Sequence, residues 1–174
     1  ALPISQLPNR MSGEQALHRE VERRKRTGRP LSLALVDVDR FKSINDRHGH
    51  LTGDRVLKQI AAAASEAVRE YDHVSRWGGE EFLVIIPEAG IDAAARVMDR
   101  VRTAIAAIET GHSEAVTVSA GVATFGDDEP IESAVSRADA ALYAAKERGR
   151  NRVVTAGDGR SEHDGRTEPG EIRA

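Results

Sequence analysis

The spacing of apolar and polar residues along the chain predicts alternating helices and strands. Apolar residues recur at helical spacing over residues 9–27, and Gly28 is a typical residue at which such a helix ends. Residues 31–39 are apolar on both faces of an extended chain, which predicts a buried central strand. After a polar stretch that contains Gly49, the apolar face of residues 52–70 predicts the next helix.

The second half of the chain continues this alternation around a hairpin. Short β-leaning runs flank Gly78 and Gly79, and a glycine pair between such runs is a strong hairpin signal. The remaining predicted elements are two helices, at 89–108 and 131–148, and two strands, at 115–125 and 152–155. Interleaved helices and strands with one hairpin predict an α/β (α+β) sandwich, in which helices flank one mixed sheet of five strands.

Composition narrows the classes of protein to consider. The chain has 174 residues, no cysteine, and 25 Lys and Arg against 28 Asp and Glu, for a formal net charge of −3. These values exclude disulfides and thiolate metal sites and argue against nucleic-acid binding through overall charge. No apolar run is long enough to span a bilayer and no secretory signal is visible, so we expect a cytoplasmic domain without membrane contact of its own, while a membrane anchor elsewhere in the full-length protein stays open.

The same pattern divides the chain into three parts. Residues 1–10 are predicted to be the end of a linker, and residues 11–156 one folded domain. Residues 157–174 are polar and rich in glycine and charge, which predicts a disordered tail.

Two acids, Asp37 and Asp39, lie at the end of the predicted central strand. Open α/β sheets place their ligands at such strand ends. Because residues i and i+2 of a strand point to the same side, both carboxylates are expected to face one site. Solvated acids at a strand end explain this pair equally well when it is taken alone.

Glu80 and Glu81 follow the glycine pair of the predicted hairpin. Glycine lets the backbone approach a phosphate and turn N–H groups toward it. A glutamate beside Asp37 would bring carboxylates together, and these repel one another unless a hard cation lies between them. Taken alone, an ordinary surface turn with acids is the better explanation.

Two further pairs have side chains suited to a nucleotide. Lys146 and Arg150 are four residues apart near a predicted helix end, so they are expected to share a face that could clamp a polyphosphate, although simple pairing with the helix C-terminus explains them better when they are taken alone. Asn45 and Asp54 offer an amide and a carboxylate that match a guanine edge, since adenine has no N1–H donor. A turn cap and an acid in the first turn of a helix explain this second pair better by themselves.

Taken together, these segments resemble the GGDEF domain of the diguanylate cyclase family. The resemblance covers about residues 4–153 and rests on motifs in the family's order: LPNR at 7–10, VDVDRFKSIND at 36–46, HGH and GD within 48–54, RWGGEEF at 76–82, VTVSAGV at 116–122, and ADAALYAAK and GRN within 138–151. Several separated motifs at the right spacing are far more specific than any one of them. The opening motif departs from the family's Asp-x-Leu-Thr, because Leu2 takes the place of the acid.

The resemblance implies a palm-like fold, as in nucleotidyl cyclases, and the condensation of two GTP to cyclic di-GMP with release of two pyrophosphates. It implies two divalent cations, Mg²⁺ or Mn²⁺, held by Asp37, Glu80 and the main-chain carbonyl of Val38. Glu80 or Glu81 would help to deprotonate the attacking 3′-hydroxyl, and the GGEE tetrad is one of the family's active versions.

The resemblance also implies how GTP is held. Asn45 and Asp54 would recognise guanine, and Asp54 argues for GTP alone. The groups implied for the phosphates are the two hairpin glycines, main-chain amides near Phe41, and three cationic side chains, namely Gly78, Gly79, Phe41, Lys42, Lys146 and Arg150.

Regulation and partners are implied as well. Arg69 and Asp72 match the family's inhibitory site for cyclic di-GMP, and Arg100 matches a secondary contact to this product. Catalysis would need a homodimer with two facing sites, and a sensor or dimerisation domain is expected ahead of this chain. The alternatives are a GGDEF receptor that binds cyclic di-GMP or GTP without turnover, and another palm-type enzyme; the complete motif set favours the cyclase.

Overall fold

The computed structural model describes residues 7–111 and 114–157. Leu2 and most of the predicted polar tail lie outside these residues. Within them the chain forms five helices and five strands. In chain order these are α1 (Arg10–Thr27), β1 (Leu31–Val38), α2 (Phe41–His48), α3 (His50–Ala67), β2 (His73–Arg76), β3 (Glu81–Pro87), α4 (Ile91–Ala106), β4 (Val118–Thr124), α5 (Ile131–Glu147) and β5 (Val153–Thr155).

The five strands form one sheet in the order β2-β3-β1-β4-β5. Strand β1 lies in the centre and runs antiparallel to both β3 and β4, while β4 and β5 run parallel. Every residue of β1 is buried, as its continuous apolar sequence predicts for a strand covered on both faces. The predicted mixed sheet of five strands, with its hairpin and flanking helices, is confirmed.

Helices cover the two faces of the sheet with separate apolar clusters. On one face, Leu33 and Leu35 of β1 pack with residues of α1 and α5. On the other face, Val36 and Val38 pack with residues of α3 and α4. Because side chains alternate along a strand, odd-numbered residues at the end of β1 continue toward the α1 and α5 side. This parity decides on which face the acids of β1 emerge.

The element boundaries differ from the sequence prediction at several points. The polar stretch before the second predicted helix contains the short helix α2, in which only Phe41 is buried, so it has too little apolar periodicity to be recognised. Helix α3 begins at His50 and ends at Ala67, because Val68 is extended and residues 69–72 form a turn. Strand β4 begins at Val118, three residues later than predicted.

The helices described here include none that combines the length and the apolar character needed to cross a bilayer.

Helix α5 approaches the sheet unusually closely. A Cβ atom built at Gly121 of β4 would lie 2.0 Å from the carbonyl oxygen of Ala138 and 2.3 Å from the amide nitrogen of Leu142. Only glycine fits there, and its absence of a side chain fixes the height of α5 above the sheet.

Candidate functional site

Antiparallel pairing brings the end of β1 next to the beginning of β3. Asp37 lies directly opposite Glu81 in the register of the two strands. The Val38 amide donates a hydrogen bond of 3.2 Å to the Glu80 carbonyl just ahead of β3. The predicted meeting of Asp37 with the GGEE turn is therefore present, and it follows from strand order and register.

The carboxylates at this junction are electrostatically crowded. Burial, followed by the charge of Asp37, raises the pKa of Glu80 and that of Glu81 above the ordinary value for glutamate. Asp139 of α5 adds to the rise at Glu81, and Lys146 opposes it at both glutamates. The cluster has an excess of negative charge, which a bound cation would relieve.

Lys146 supplies a cation on the α5 side of this junction. Its Nζ donates a hydrogen bond of 2.5 Å to Oδ2 of Asp37, whose side chain is 8 % exposed. Lysine is suited to exchange such a partner for a phosphate, because its ammonium sits on a flexible stem. Lys146 therefore offsets part of the negative charge at this junction.

Arg150 does not share a helix face with Lys146, because α5 ends at Glu147. It lies instead in a turn of three consecutive residues with positive φ, namely Gly149 at 112°, Arg150 at 63° and Asn151 at 45°. The Arg150 amide still donates a 3.0 Å hydrogen bond to the carbonyl of Ala145, which ties the turn to the helix.

The GGEE turn is held from its carbonyl side by Arg76. This guanidinium donates hydrogen bonds to the carbonyls of Gly78, at 3.2 Å, and Gly79, at 2.7 Å. A Cβ built at Gly79 meets nothing within 4 Å, so the space beside this residue is open to a ligand. Sequence reasoning missed the role of Arg76, although the arginine stands two residues ahead of the glycine pair.

Asp39 does not join Asp37 in an open site, contrary to the sequence prediction. Its carboxylate accepts hydrogen bonds from the hydroxyls of Thr117 and Ser119, each at 2.7 Å, and from the amide of Asn151 at 3.0 Å. The residue is only 6 % exposed, and these protein donors satisfy both oxygens of its carboxylate. The two acids share a side of the sheet, as predicted, but only Asp37 faces the hairpin acids.

Asn45 and Asp54 come together because α2 packs against the beginning of α3. A Cβ built at Gly53 would lie 1.9 Å from Oδ1 of Asn45, so the amide lies directly against that glycine, next to Asp54. Oδ1 of Asn45 is buried and has no hydrogen-bond partner within the described part of the chain. This oxygen faces the protein, while Asn45 as a whole is half-buried, so a ligand would meet the rest of its side chain. Asp54 and Lys42 are exposed, and Phe41 is buried.

The donors for a metal are few. Among residues 7–111 and 114–157, no group of three or more His, Asp or Glu side chains is arranged to hold an ion by itself. Asp37, Glu80 and the Val38 carbonyl provide oxygen donors, the type that Mg²⁺ prefers. Because Mg²⁺ usually retains water and binds substrate phosphates, this set fits a metal that arrives with a nucleotide rather than a closed protein cage.

Arg69 and Asp72 form a closed pair in the turn between α3 and β2. The guanidinium binds the carboxylate through Nε and Nη2, at 3.0 and 2.8 Å, and the Asp72 side chain is fully buried. Nη2 of Arg69 also donates to the Pro87 carbonyl, and the guanidinium lies 4.6 Å from the centre of the Tyr71 ring. Arg100 of α4 donates to the Ala67 carbonyl at the end of α3. The three residues predicted for the inhibitory site thus border the end of one helix.

Comparison with known proteins gives one consistent result. The family model described as "Diguanylate cyclase, GGDEF domain" matches residues 3–152. The diguanylate cyclase DgcP of Pseudomonas aeruginosa is 44 % identical over 157 residues, which cover 88 % of this chain and 23 % of DgcP. The chain spans between 23 and 34 % of the first curated relatives that it matches.

Solved structures agree in fold. Diguanylate cyclase SiaD of Pseudomonas aeruginosa, solved with its activator SiaC, superimposes with a TM-score of 0.84 at 42 % identity, covering 89 % of this chain and 61 % of SiaD. The GGDEF domain of DgcB from Caulobacter crescentus, solved with c-di-GMP, gives a TM-score of 0.82 at 34 % identity and covers 89 % of this chain and 94 % of that domain.

Proposed function

Because this chain belongs to the GGDEF domain family, we propose that it is a diguanylate cyclase domain that condenses two GTP to cyclic di-GMP. The observation that carries the proposal is the junction of β1 and β3, where Asp37, Glu80 and Glu81 meet and Lys146 faces Asp37. A crowded set of carboxylates beside an open glycine turn is suited to a metal-bound triphosphate.

In this proposal, the base and the phosphates of one GTP occupy opposite sides of the junction. Asn45 and Asp54 bind the guanine edge, and the position of the Asn45 amide against Gly53, next to Asp54, supports this assignment. The phosphates lie along the GGEE turn and between α2 and the end of α5. The groups that bind them are Gly78, Gly79, the main chain near Phe41, Lys42, Lys146 and Arg150.

Two divalent cations, Mg²⁺ or Mn²⁺, would be held by Asp37, Glu80 and the Val38 carbonyl together with phosphate oxygens. When bound, they supply charge stabilisation for the phosphoryl group and the leaving pyrophosphate. The raised pKa values of the glutamates support the assignment, because they arise from burial and from a neighbouring negative charge. Lys146 would then leave Asp37 for a phosphate.

The proposed reaction joins two nucleotides held by two copies of this chain. The 3′-hydroxyl of one GTP attacks the α-phosphorus of the other, a new P–O bond forms, and pyrophosphate departs. The hydroxyl proton passes to Glu80 or Glu81, whose raised pKa makes either a better acceptor. Of the two, Glu81 is the stronger candidate, because a metal would take up the charge of Glu80. A second attack of the same kind closes the ring.

Product inhibition is proposed at the pair formed by Arg69 and Asp72, with Arg100 alongside. The Asp72 carboxylate is already bound by Arg69, so its contribution is to hold that guanidinium at the surface. Arg69 remains about a quarter exposed and is able to bind a guanine or a phosphate of cyclic di-GMP. The relatives are longer than this chain. We propose that the protein to which this chain belongs also has a sensor or dimerisation domain.

The cyclase proposal is tested by incubating concentrated protein with GTP and Mg²⁺ and identifying the products by mass spectrometry. We expect cyclic di-GMP from the wild type and from Glu66→Ala, which removes an exposed acid of α3. Glu80→Ala is expected to make none. If the wild type forms no product, the assay is repeated with a fused coiled coil that forces dimers. This control shows whether weak self-association was the cause. Forced dimers that bind cyclic di-GMP but form no product would contradict the proposal and favour a receptor.

The inhibitory site is tested by calorimetry with cyclic di-GMP. Arg69→Ala would leave the buried Asp72 charge unpaired, at a cost of about 3–5 kcal/mol in stability. Arg69→Lys retains the charge and removes only the planar fork, so it is the better variant. We expect it to weaken binding about tenfold, with Arg96→Lys, at an exposed position of α4, as the matched control. Equal affinity of Arg69→Lys and wild type would contradict the assignment.

A further inference from the structure

Asp39 is the buried acid at the end of β1 that the proposed reaction leaves without a role. Its Oδ2 accepts from Thr117 and from the Asn151 amide, and its Oδ1 accepts from Ser119. Two of these contacts tie it to the beginning of β4, and the third reaches the turn that follows α5. A carboxylate with three short hydrogen bonds is a rigid anchor, because both of its oxygens are committed.

The turn that Asp39 reaches has an unfavourable backbone. Gly149, Arg150 and Asn151 all have positive φ, and only the first of them is glycine. Arginine adopts this conformation at an energetic cost, whereas asparagine tolerates it, so the conformation of Arg150 persists only where surrounding contacts impose it. Asn151 is held by its amide on Asp39 and by its side chain, whose Oδ1 accepts from Arg102 of α4 at 3.0 Å, while the amides of Gly149 and Arg150 donate to the carbonyls of Lys146 and Ala145.

This turn determines where the Arg150 side chain begins. It also follows directly on the last residues of α5, from which Lys146 reaches Asp37. Asp37 is the second-last residue of β1, and Asp39 directly follows the strand. The end of β1 therefore holds Lys146 through Asp37. It holds the turn that carries Arg150 through Asp39.

We propose that Asp39 is a positioning residue for the nucleotide phosphates: by holding the Asn151 amide, it keeps the turn 149–151 in its strained form and directs Arg150 toward the site. The inference rests on the proposed function and deepens it. Asp39 touches neither the metal nor the nucleotide in this account. A merely structural role would lower stability and weaken all ligands alike, whereas a positioning role weakens only those that depend on Arg150.

The test compares the affinity for a non-hydrolysable GTP analogue with the affinity for GMP. The single phosphate of GMP is expected to bind without contact to Arg150. Affinities are measured by calorimetry for wild type and Asp39→Asn, and folding is checked by thermal melting. We expect about a tenfold loss for the analogue, the size of one charge-assisted hydrogen bond, and less than a twofold change for GMP. Asp92→Asn, which removes an exposed acid at the start of α4, is the matched control and should change neither affinity.

A double-mutant cycle then assigns the effect to Arg150. If Asp39 acts through this residue, Asp39→Asn adds less than a twofold loss once Arg150→Ala is present. Thr117→Val removes one anchor of the carboxylate and should reproduce a smaller loss, confined to the analogue, if Asp39→Asn does not fold.

Equal losses for the analogue and GMP, or full additivity with Arg150→Ala, overturn the inference and leave the cyclase proposal standing. Wild-type protein that binds neither nucleotide contradicts the proposed function, and the inference is then overturned with it.

Discussion

Replacing Gly121 by alanine should separate α5 from the sheet. The added Cβ would lie 2.0 Å from the Ala138 carbonyl oxygen and 2.3 Å from the Leu142 amide nitrogen. Real Cβ atoms are essentially never found within 3.0 Å of another group, so the helix must retreat by about 1 Å at this point. Both atoms belong to the helix backbone, which has no rotamer to change. Relief therefore has to come from movement of the whole element.

The expected loss of stability depends on which atoms the added Cβ would clash with, and here they belong to the backbone of α5. Overpacking in a core costs about 1–3 kcal/mol, and a clash with fixed backbone belongs at the upper end, about 3 kcal/mol. For a domain of this size, that loss lowers Tm by roughly 6–12 °C. Lys146 is on the same helix, one turn beyond Leu142, so its 2.5 Å contact with Asp37 should also be lost. We expect the affinity for a GTP analogue to fall about tenfold.

Urea and thermal unfolding, followed by calorimetry with the GTP analogue, check both parts of the prediction. Gly126→Ala is the matched control, because a Cβ built there has its nearest neighbour at 3.8 Å, an ordinary contact. It should change the free energy of unfolding by less than about 0.5 kcal/mol. If Gly121→Ala is as stable as this control, the reasoning about helix height is refuted. If it is destabilised but binds the analogue normally, α5 does not position the phosphate-binding cations.

Three further predictions concern charge and space. Arg137 and other partners lower the pKa of Glu129 to about 2, from an ordinary 4.5, so its contribution to stability is present above pH 4.5 and is lost as the pH falls from 4.5 toward 2. Glu129→Gln should therefore lose about 1–3 kcal/mol at pH 7 and almost nothing at pH 2, as measured by urea unfolding. Gly53→Ala should displace Asn45, whose Oδ1 would lie 1.9 Å from the new Cβ, and weaken GMP binding in calorimetry about tenfold; unchanged affinity would argue against a guanine site there. Because burial and the charge of Asp37 raise the pKa of Glu80, the ionised form that a metal needs is lost at a higher pH than for an ordinary glutamate, so Mn²⁺ binding with a GTP analogue should weaken as the pH falls toward the ordinary value of 4.5, and a profile that is flat down to that pH would contradict this.

Most of the fold could be predicted from the sequence, because the pattern of apolar residues is regular. The continuous apolar run of β1 predicts a central strand, and the structure places it between β3 and β4. The glycine pair at 78–79 predicts the hairpin of β2 and β3. Helix α2 escaped prediction because a helix of eight residues with one buried side chain has hardly any periodicity. Its ends lie at Arg40 and Gly49, which both have positive φ.

The sequence by itself also determined which residue types are available for a site, and the family motifs determined which of them to consider together. Only the tertiary structure distinguished Asp37 from Asp39. Asp37 lies in β1 and Asp39 directly follows it, and both emerge on the same side, yet Asp37 lies opposite Glu81 while Asp39 is enclosed by Thr117, Ser119 and Asn151. Strand order and register decide this difference, because they determine which residues from distant parts of the chain surround each carboxylate, and no local pattern encodes those neighbours.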